Sequence, residues 1–237
     1  MKKITALIGS PHLLSSNTLS LTQGFLQIVQ TIEPSIETEI ISLGAQQVGF
    51  CKGCWHCTRM GSCALKDDLP LIQQKLLESD MIILGSPVYV EQVSAQMKAF
   101  IDRIFIWLHT LRLIGKPSLT VVTTAGSGIQ ATENYLNNVL YLLGTIPIGH
   151  LRGIAFRPSE FPKREETLNK YQSLAIKTAA ILNGEKALHP TLKNQLYFWA
   201  MKSKAHFGAT YLPYENEFWK KSGWNKMTYS QAAKTTL

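Results

Sequence analysis

The sequence predicts an α/β protein with one doubly wound, five-stranded parallel sheet and a C-terminal extension, and three observations carry that prediction. Five short, β-branched apolar runs are continuous rather than alternating, which marks strands buried on both faces. Segments with apolar residues at helical spacing separate them, so strands and helices alternate along the chain. The length of 237 residues suits one substantial core plus an appendage and is short for two full enzyme domains.

The first strand is Lys3 to Gly9. Met1-Lys2-Lys3 followed by Ile4 to Ile8 has the look of a signal peptide, but the apolar run ends at Gly9-Ser10-Pro11, too soon for a hydrophobic region. A turn over Ser10 to Ser16 leads into a helix from Asn17 to Gln30, with Leu19, Phe25, Leu26 and Val29 on its apolar side. Ile36 to Leu43 is the second strand. After a Gly- and Cys-rich stretch, Asp67 and Asp68 are placed to cap a helix running through Glu78. Met81 to Leu84 makes the third strand, ending in Gly85-Ser86-Pro87, and Ser94 to His109 reads as one long helix. Pro117 to Thr124, a helix from Gln130 to Leu143, a fifth strand over Ile146 to Phe156 and a helix from Glu165 to Leu182 complete the repeat. The main domain is therefore expected over 1–183, with an extension over 184–237.

Composition narrows the class of protein. No stretch approaches the twenty or so apolar residues that a membrane span needs. The net charge of +8 is unevenly placed: residues 1–150 hold 10 basic and 10 acidic residues, and the remainder holds 14 and 6. The whole excess thus lies in the last third. All four cysteines fall between Cys51 and Cys63, a local cluster unlike the dispersed framework of a secreted disulfide scaffold, so a reducing cytoplasm is expected.

Ligands of doubly wound sheets bind beyond the carboxyl ends of the strands, and the loops there are unusual. Gly9 to Thr18 is crowded with hydroxyls and leads into a helix amino terminus, whose free N–H groups and partial positive charge suit a phosphate. An N-cap and turn built from Ser and Asn is the plainer reading of the same residues. No P-loop is present, because no Gly-Lys-Ser/Thr follows. The third strand exits through Gly85-Ser86-Pro87-Val88-Tyr89-Val90 and the fourth through Thr124-Ala125-Gly126-Ser127-Gly128. Pro and Tyr form a flat apolar wall, while a Gly-rich turn exposes amides for the polar edge of a planar heterocycle.

The Gly-Ser-Pro…Ser16-Asn17-Thr18 loop, the Ser86-Pro87-Val88-Tyr89 turn followed by Ser94…Lys98…Asp102-Arg103, and the Thr124-Ala125-Gly126-Ser127 exit occur in that order. Over roughly residues 1–155 the chain resembles the NAD(P)H-dependent FMN reductase branch of the flavodoxin-like superfamily. The resemblance implies a strand order of 2-1-3-4-5 and bound FMN. Its phosphate would lie at Ser10, Ser16, Asn17 and Thr18, with His12 where family members often carry Arg. The isoalloxazine would lie between Pro87, Val88 and Tyr89 and Thr124, Ala125, Gly126 and Ser127. It further implies NAD(P)H as co-substrate, a ping-pong transfer to a quinone, flavin or similar small acceptor, and a homodimer or homotetramer. Tyr89 is the candidate for shaping the nicotinamide or acceptor site. Lys98 and Asp102, at i and i+4, read as a surface ion pair.

Cys51, Cys54, Cys57 and Cys63 lie within thirteen residues, and turns at Gly53 and Gly61 would let the loop fold back on one centre. The spacing resembles the compact motif of the iron–sulfur flavoproteins, which implies four ligands to a [4Fe–4S] cluster beside FMN and an electron-transfer role. Free thiols, a disulfide, or zinc with His56 as a further ligand remain alternatives. The extension carries Tyr197, Phe198, Trp199, Phe207, Tyr211, Tyr214, Phe218, Trp219 and Trp224 among lysines, with one helix expected from Thr191 to Phe207. Such a mixture marks nucleic-acid or anionic-membrane contact, or else aromatics packed on the parent domain under solvated lysines; packing is the expectation.

Overall fold

The computed structural model describes residues 1–207 and 211–235, and of His206 and Phe207 the backbone only. Parallel strands β1 (Lys3–Ile8), β2 (Glu37–Ser42) and β3 (Met81–Tyr89) are joined through helices α1 (Asn17–Ile32), α2 (His56–Met60) and α3 (Leu69–Glu78). A two-residue strand β4 (Gln92–Val93) folds back on the end of β3, and helices α4 (Ala95–Arg103) and α5 (Phe105–His109) follow. Then come β5 (Pro117–Thr124), α6 (Ile129–Leu142), β6 (Ile146–Ile154), α7 (Arg164–Asn169) and α8 (Gln172–Leu182). The extension adds α9 (Leu192–Phe207), α10 (Pro213–Lys221) and α11 (Tyr229–Lys234).

The sheet runs β2-β1-β3-β5-β6, the order 2-1-3-4-5 once the small antiparallel β4 is set aside. Ile8 pairs with Gly85 and Gly85 with Val121, so the exits of β1, β3 and β5 share one edge. Because the chain leaves β1 for β2 on one side and returns to β3 on the other, the crevice of a doubly wound sheet must open between those two exits. Apolar layers cover both faces: Leu7, Leu84, Phe100 and Leu140 belong to one, Ile4, Phe25, Ile83 and Leu151 to the other. Among the described residues no helix is long and apolar enough to cross a membrane.

Four expectations are corrected. The third strand continues past Leu84 to Tyr89, because Val88 and Tyr89 find a new antiparallel partner in β4. The helix expected from Ser94 to His109 breaks at Ile104. Ile104 and Ile106 are both buried, yet two residues apart they would lie on nearly opposite sides of one straight helix. The helix expected from Glu165 to Leu182 is likewise two helices, the second opening after Tyr171, whose hydroxyl accepts the Arg152 amide at 2.7 Å. The expected cap is shared unevenly: Asp68 precedes α3 but its carboxylate accepts the Gln47 amide at 2.7 Å, and it is Asp67 that accepts the Leu69 amide, at 3.2 Å. The other end of α3 is closed by buried Lys116, whose ammonium donates to the carbonyls of Leu76, Leu77 and Ser79.

The extension is more helical than expected and forms its own apolar cluster on the parent domain. Phe198, Trp219, Trp224 and Tyr229 are buried there with Leu111, Ile114 and Ile146, while Trp199 and Tyr211 are exposed. The Tyr229 hydroxyl donates to the Gly144 carbonyl at 2.5 Å, and the Trp219 indole donates to the His109 carbonyl at 3.1 Å. Glu215, fully buried, is hydrogen-bonded to His109 Nδ1 at 2.8 Å. The side chain of Phe207 lies outside the described residues.

Candidate functional site

The exits of β1, β3, β5 and β6 meet around one crevice lined by Ser10, His12, Ser16, Asn17, Thr18, Pro87, Val88, Tyr89, Thr124 and Ala125, with Thr123 and the Ala155–Pro158 loop. Close packing at the strand ends brings them together. Gly9 donates its amide to the Gly85 carbonyl at 2.7 Å and accepts the Ser94 hydroxyl through its own carbonyl. A Cβ at Gly9 would stand 2.5 Å from the Cβ of Met97, so only glycine lets α4 approach β1 this closely. Ser94 also caps α4 by accepting the Met97 amide at 3.2 Å.

The structure bears out the N-cap reading of the first loop. Ser16 is the N-cap of α1, its hydroxyl accepting the Leu19 amide at 3.1 Å. The Ser20 amide donates to the Ser16 carbonyl, which leaves the first-turn amides of Asn17 and Thr18 without an acceptor among the described residues. Those two amides, at the positive end of a sixteen-residue helix, flank the crevice and fit a phosphate. Thr18 and Thr123 share a buried hydroxyl contact at 2.6 Å, and the Asn17 side-chain amide donates to the Arg157 carbonyl at 2.8 Å.

Pro87, Val88, Tyr89 and Phe156 supply the apolar part of the lining, and burial pushes the Tyr89 phenol above its ordinary value. The pocket proper measures about 110 Å³, less than the roughly 300 Å³ at the low end for a drug-sized ligand. It can therefore seat a phosphate and one edge of a ring, with the rest of a nucleotide lying across the open surface. A wider groove of about 620 Å³ between α6, β6 and Lys193 lies away from the strand exits and is not the sheet's ligand position.

Gly126 and Ser127 are absent from the lining. The Ser127 hydroxyl instead donates to the Glu91 carboxylate, tying the loop after β5 to the hairpin at the end of β3. Sequence reasoning missed Ala155, Phe156 and Pro158. The available signal was positional: β6 is parallel to β5, so its exit must reach the same edge. Val90 and Glu91 form the hairpin tip with φ of 49° and 65°, left-handed conformations that disfavour a β-branched residue. Val90→Asn, at a position that is 97% exposed, should raise stability by about 0.5–1 kcal/mol, read as a higher denaturant midpoint at unchanged slope.

The cysteine loop lies on the α3 and α4 side. Trp55 and Gly61, before and after α2, are left-handed, and a Cβ at Gly61 would fall 2.1 Å from the Tyr214 ring, so the extension is seated directly against this turn. Cys51 and Cys54 are exposed, Cys57 and Cys63 half-buried, and all four are free. The Cys57 thiol is pushed up first by burial and then by Cys63, Cys51 and Cys54. The donor set suits an iron–sulfur cluster, although among the described residues no three His, Cys, Asp or Glu side chains converge as a ready-made metal site.

Asp67 and Arg103 close the loop. Arg103 Nη1 donates to Asp67 at 2.6 Å and to the Gly49 carbonyl at 2.8 Å, and its Nε donates to Cys63 Sγ at 3.1 Å. Asp67 also accepts the Gly49 and Leu69 amides, so it, rather than Asp68, serves the start of α3. Burial would raise the Asp67 carboxyl, but the Arg103 and amide hydrogen bonds outweigh that and hold it below its ordinary 3.8. This contribution is complete above the unfolded value and is lost as pH falls through the lower folded one. The stability gap between the parent and Asp67→Asn should therefore be constant near neutrality and shrink below about pH 4, as followed by chemical denaturation against pH. Lys98 and Asp102 form the expected exposed ion pair at 2.6 Å.

Residues 2–156 match the family model for NADPH-dependent FMN reductase. An iron-sulfur flavoprotein of Archaeoglobus fulgidus is 30% identical over 227 residues, which cover 93% of this chain and 99% of that protein. An iron-sulfur flavoprotein of Methanosarcina thermophila is 29% identical, with 67% of this chain and 84% of that protein covered. Among solved structures, an FMN-dependent NADH-azoreductase from Bacillus anthracis in complex with FMN superposes with a TM-score of 0.59 at 15% identity, over 76% of this chain and 100% of that one, a likeness of fold.

Proposed function

The chain belongs to the NADPH-dependent FMN reductase family, an FMN-dependent oxidoreductase using NAD(P)H, and from that premise we propose that the crevice between β1 and β3 holds the flavin and serves a small-molecule electron acceptor. The observation that carries this reading is the pair of acceptor-free amides of Asn17 and Thr18 at the start of α1, in a crevice also lined by Pro87, Tyr89 and Phe156. When bound, FMN supplies a ring that takes a hydride from NAD(P)H and passes electrons to a second substrate. The protein's part is to bind and orient. The α1 amides with Ser10, Ser16 and Thr18 hold the phosphate, His12 lies beside them, and Pro87, Val88, Tyr89, Thr124 and Ala125 flank the ring. No side chain is required to move a proton, and Tyr89, on the open side, shapes the entry of the partner substrate. Titration of flavin-free protein with FMN, followed by anaerobic bleaching with NADH and NADPH, tests the reading. A crevice that takes up no FMN would end it.

A second reading places a [4Fe–4S] cluster on Cys51, Cys54, Cys57 and Cys63 and makes the protein an electron-transfer protein that passes electrons from a donor to an acceptor through cluster and flavin. Four thiols within one thirteen-residue loop favour it, as does the name iron-sulfur flavoprotein carried by the Archaeoglobus and Methanosarcina relatives. Iron and sulfide analysis of protein purified without oxygen decides between the two readings. Exposed Leu14, Val90 and Phe156 at the crevice rim support self-association as a homodimer or homotetramer, measurable by light scattering. Four free thiols suit a reducing compartment.

A further inference from the structure

We propose that Arg103 is a positioning residue for Cys63: its guanidinium, locked by Asp67, clasps both ends of the cysteine loop and donates a hydrogen bond that stabilises the Cys63 sulfur as an anionic ligand. The inference rests on the iron–sulfur reading above.

Arg103 ends α4 with no exposed side-chain surface, and a cation buried this deeply is costly unless every N–H is well used. Its fork is spent on Asp67, bound through both Nη1 and Nη2, and on the Gly49 carbonyl at the loop's start. That alone would close the loop. The remaining Nε–H is directed at Cys63 Sγ at 3.1 Å, near the loop's end. A neutral thiol is a weak acceptor, whereas an anionic sulfur matches a guanidinium N–H in charge and geometry. The loop's own cations, Lys52, Arg59 and Lys66, are exposed and screened by solvent. Lys98, one turn earlier on α4, is already paired with Asp102. Among these cations, the one that is buried and hydrogen-bonded to a loop sulfur is Arg103, at Cys63. Hydrogen bonds to the sulfurs are among the factors that set the potential of an iron–sulfur centre.

Two variants separate this role from simple loop closure. Arg103→Lys keeps a charge for Asp67 but withdraws the Nε–H from the sulfur. The double variant Arg103→Gln/Asp67→Asn removes cation and carboxylate together, leaving no unpaired buried charge. In FMN-loaded protein reconstituted anaerobically with iron and sulfide, both should shift the cluster midpoint potential to more negative values while the flavin potential stays in place. A cluster potential equal to the parent's in both variants, or cluster and flavin shifting together, would overturn the proposal. Failure of the parent to take up iron would refute the cluster reading and this proposal with it, an outcome distinct from iron uptake with an unmoved potential, which refutes the proposal alone.

Discussion

Asn17→Asp is expected to weaken FMN binding roughly a hundredfold while changing the stability of the fold by no more than about 1 kcal/mol. The change is nearly isosteric and sits on the first residue of α1, where a carboxylate interacts favourably with the positive end of the helix. The same carboxylate stands at the crevice mouth, where two negative charges about 6 Å apart at an effective dielectric of about 20 repel by nearly 3 kcal/mol. Losing the side-chain hydrogen bond to the Arg157 carbonyl would cost only about 1 kcal/mol and would not depend on salt. Flavin fluorescence titration at low and high ionic strength separates the two effects. A loss of affinity that salt relieves supports the phosphate cradle, whereas unchanged affinity would place the phosphate elsewhere.

Trp219→Ala should cost about 3–5 kcal/mol, enough to lower the melting temperature by about 10 °C or more. The indole is only 2% exposed, stacks edge-on with Phe198 and Trp224 at ring separations of 5.2 and 5.9 Å, and satisfies the His109 carbonyl. Its removal empties the centre of the cluster that fastens the extension. Since α10 also carries Tyr214, which packs against Gly61, and Glu215, which meets His109, the cysteine turn should loosen with it. The FMN crevice is built from other elements, so the folded fraction should bind FMN as the parent does. Differential scanning fluorimetry with and without FMN, together with alkylation of Cys57, reads both effects. An unaltered melting temperature would show that the extension is not anchored through this residue.

The alternation of continuous apolar runs with helical stripes determined the sheet, its helices and the edge at which ligands bind, because burial on two faces and burial on one leave different periods in the chain. Ser10, Asn17, Thr18, Pro87 and Tyr89 were legible for a local reason: each lies between the carboxyl end of a strand and the first turn of the next helix, where the chain itself sets position. Tertiary structure decided what depends on partners remote in sequence. Ser127 turned from the crevice because Glu91, 36 residues away, accepts its hydroxyl, and Phe156 joined the crevice because β6 lies parallel to β5. The helix broke at Ile104 to bury residues on opposing sides, and Arg103 met Asp67 and Cys63 only once α4 was laid beside the cysteine loop. A periodic pattern records which side of a segment is apolar; it carries no record of which distant polar group will satisfy a buried donor, and packing alone makes that choice.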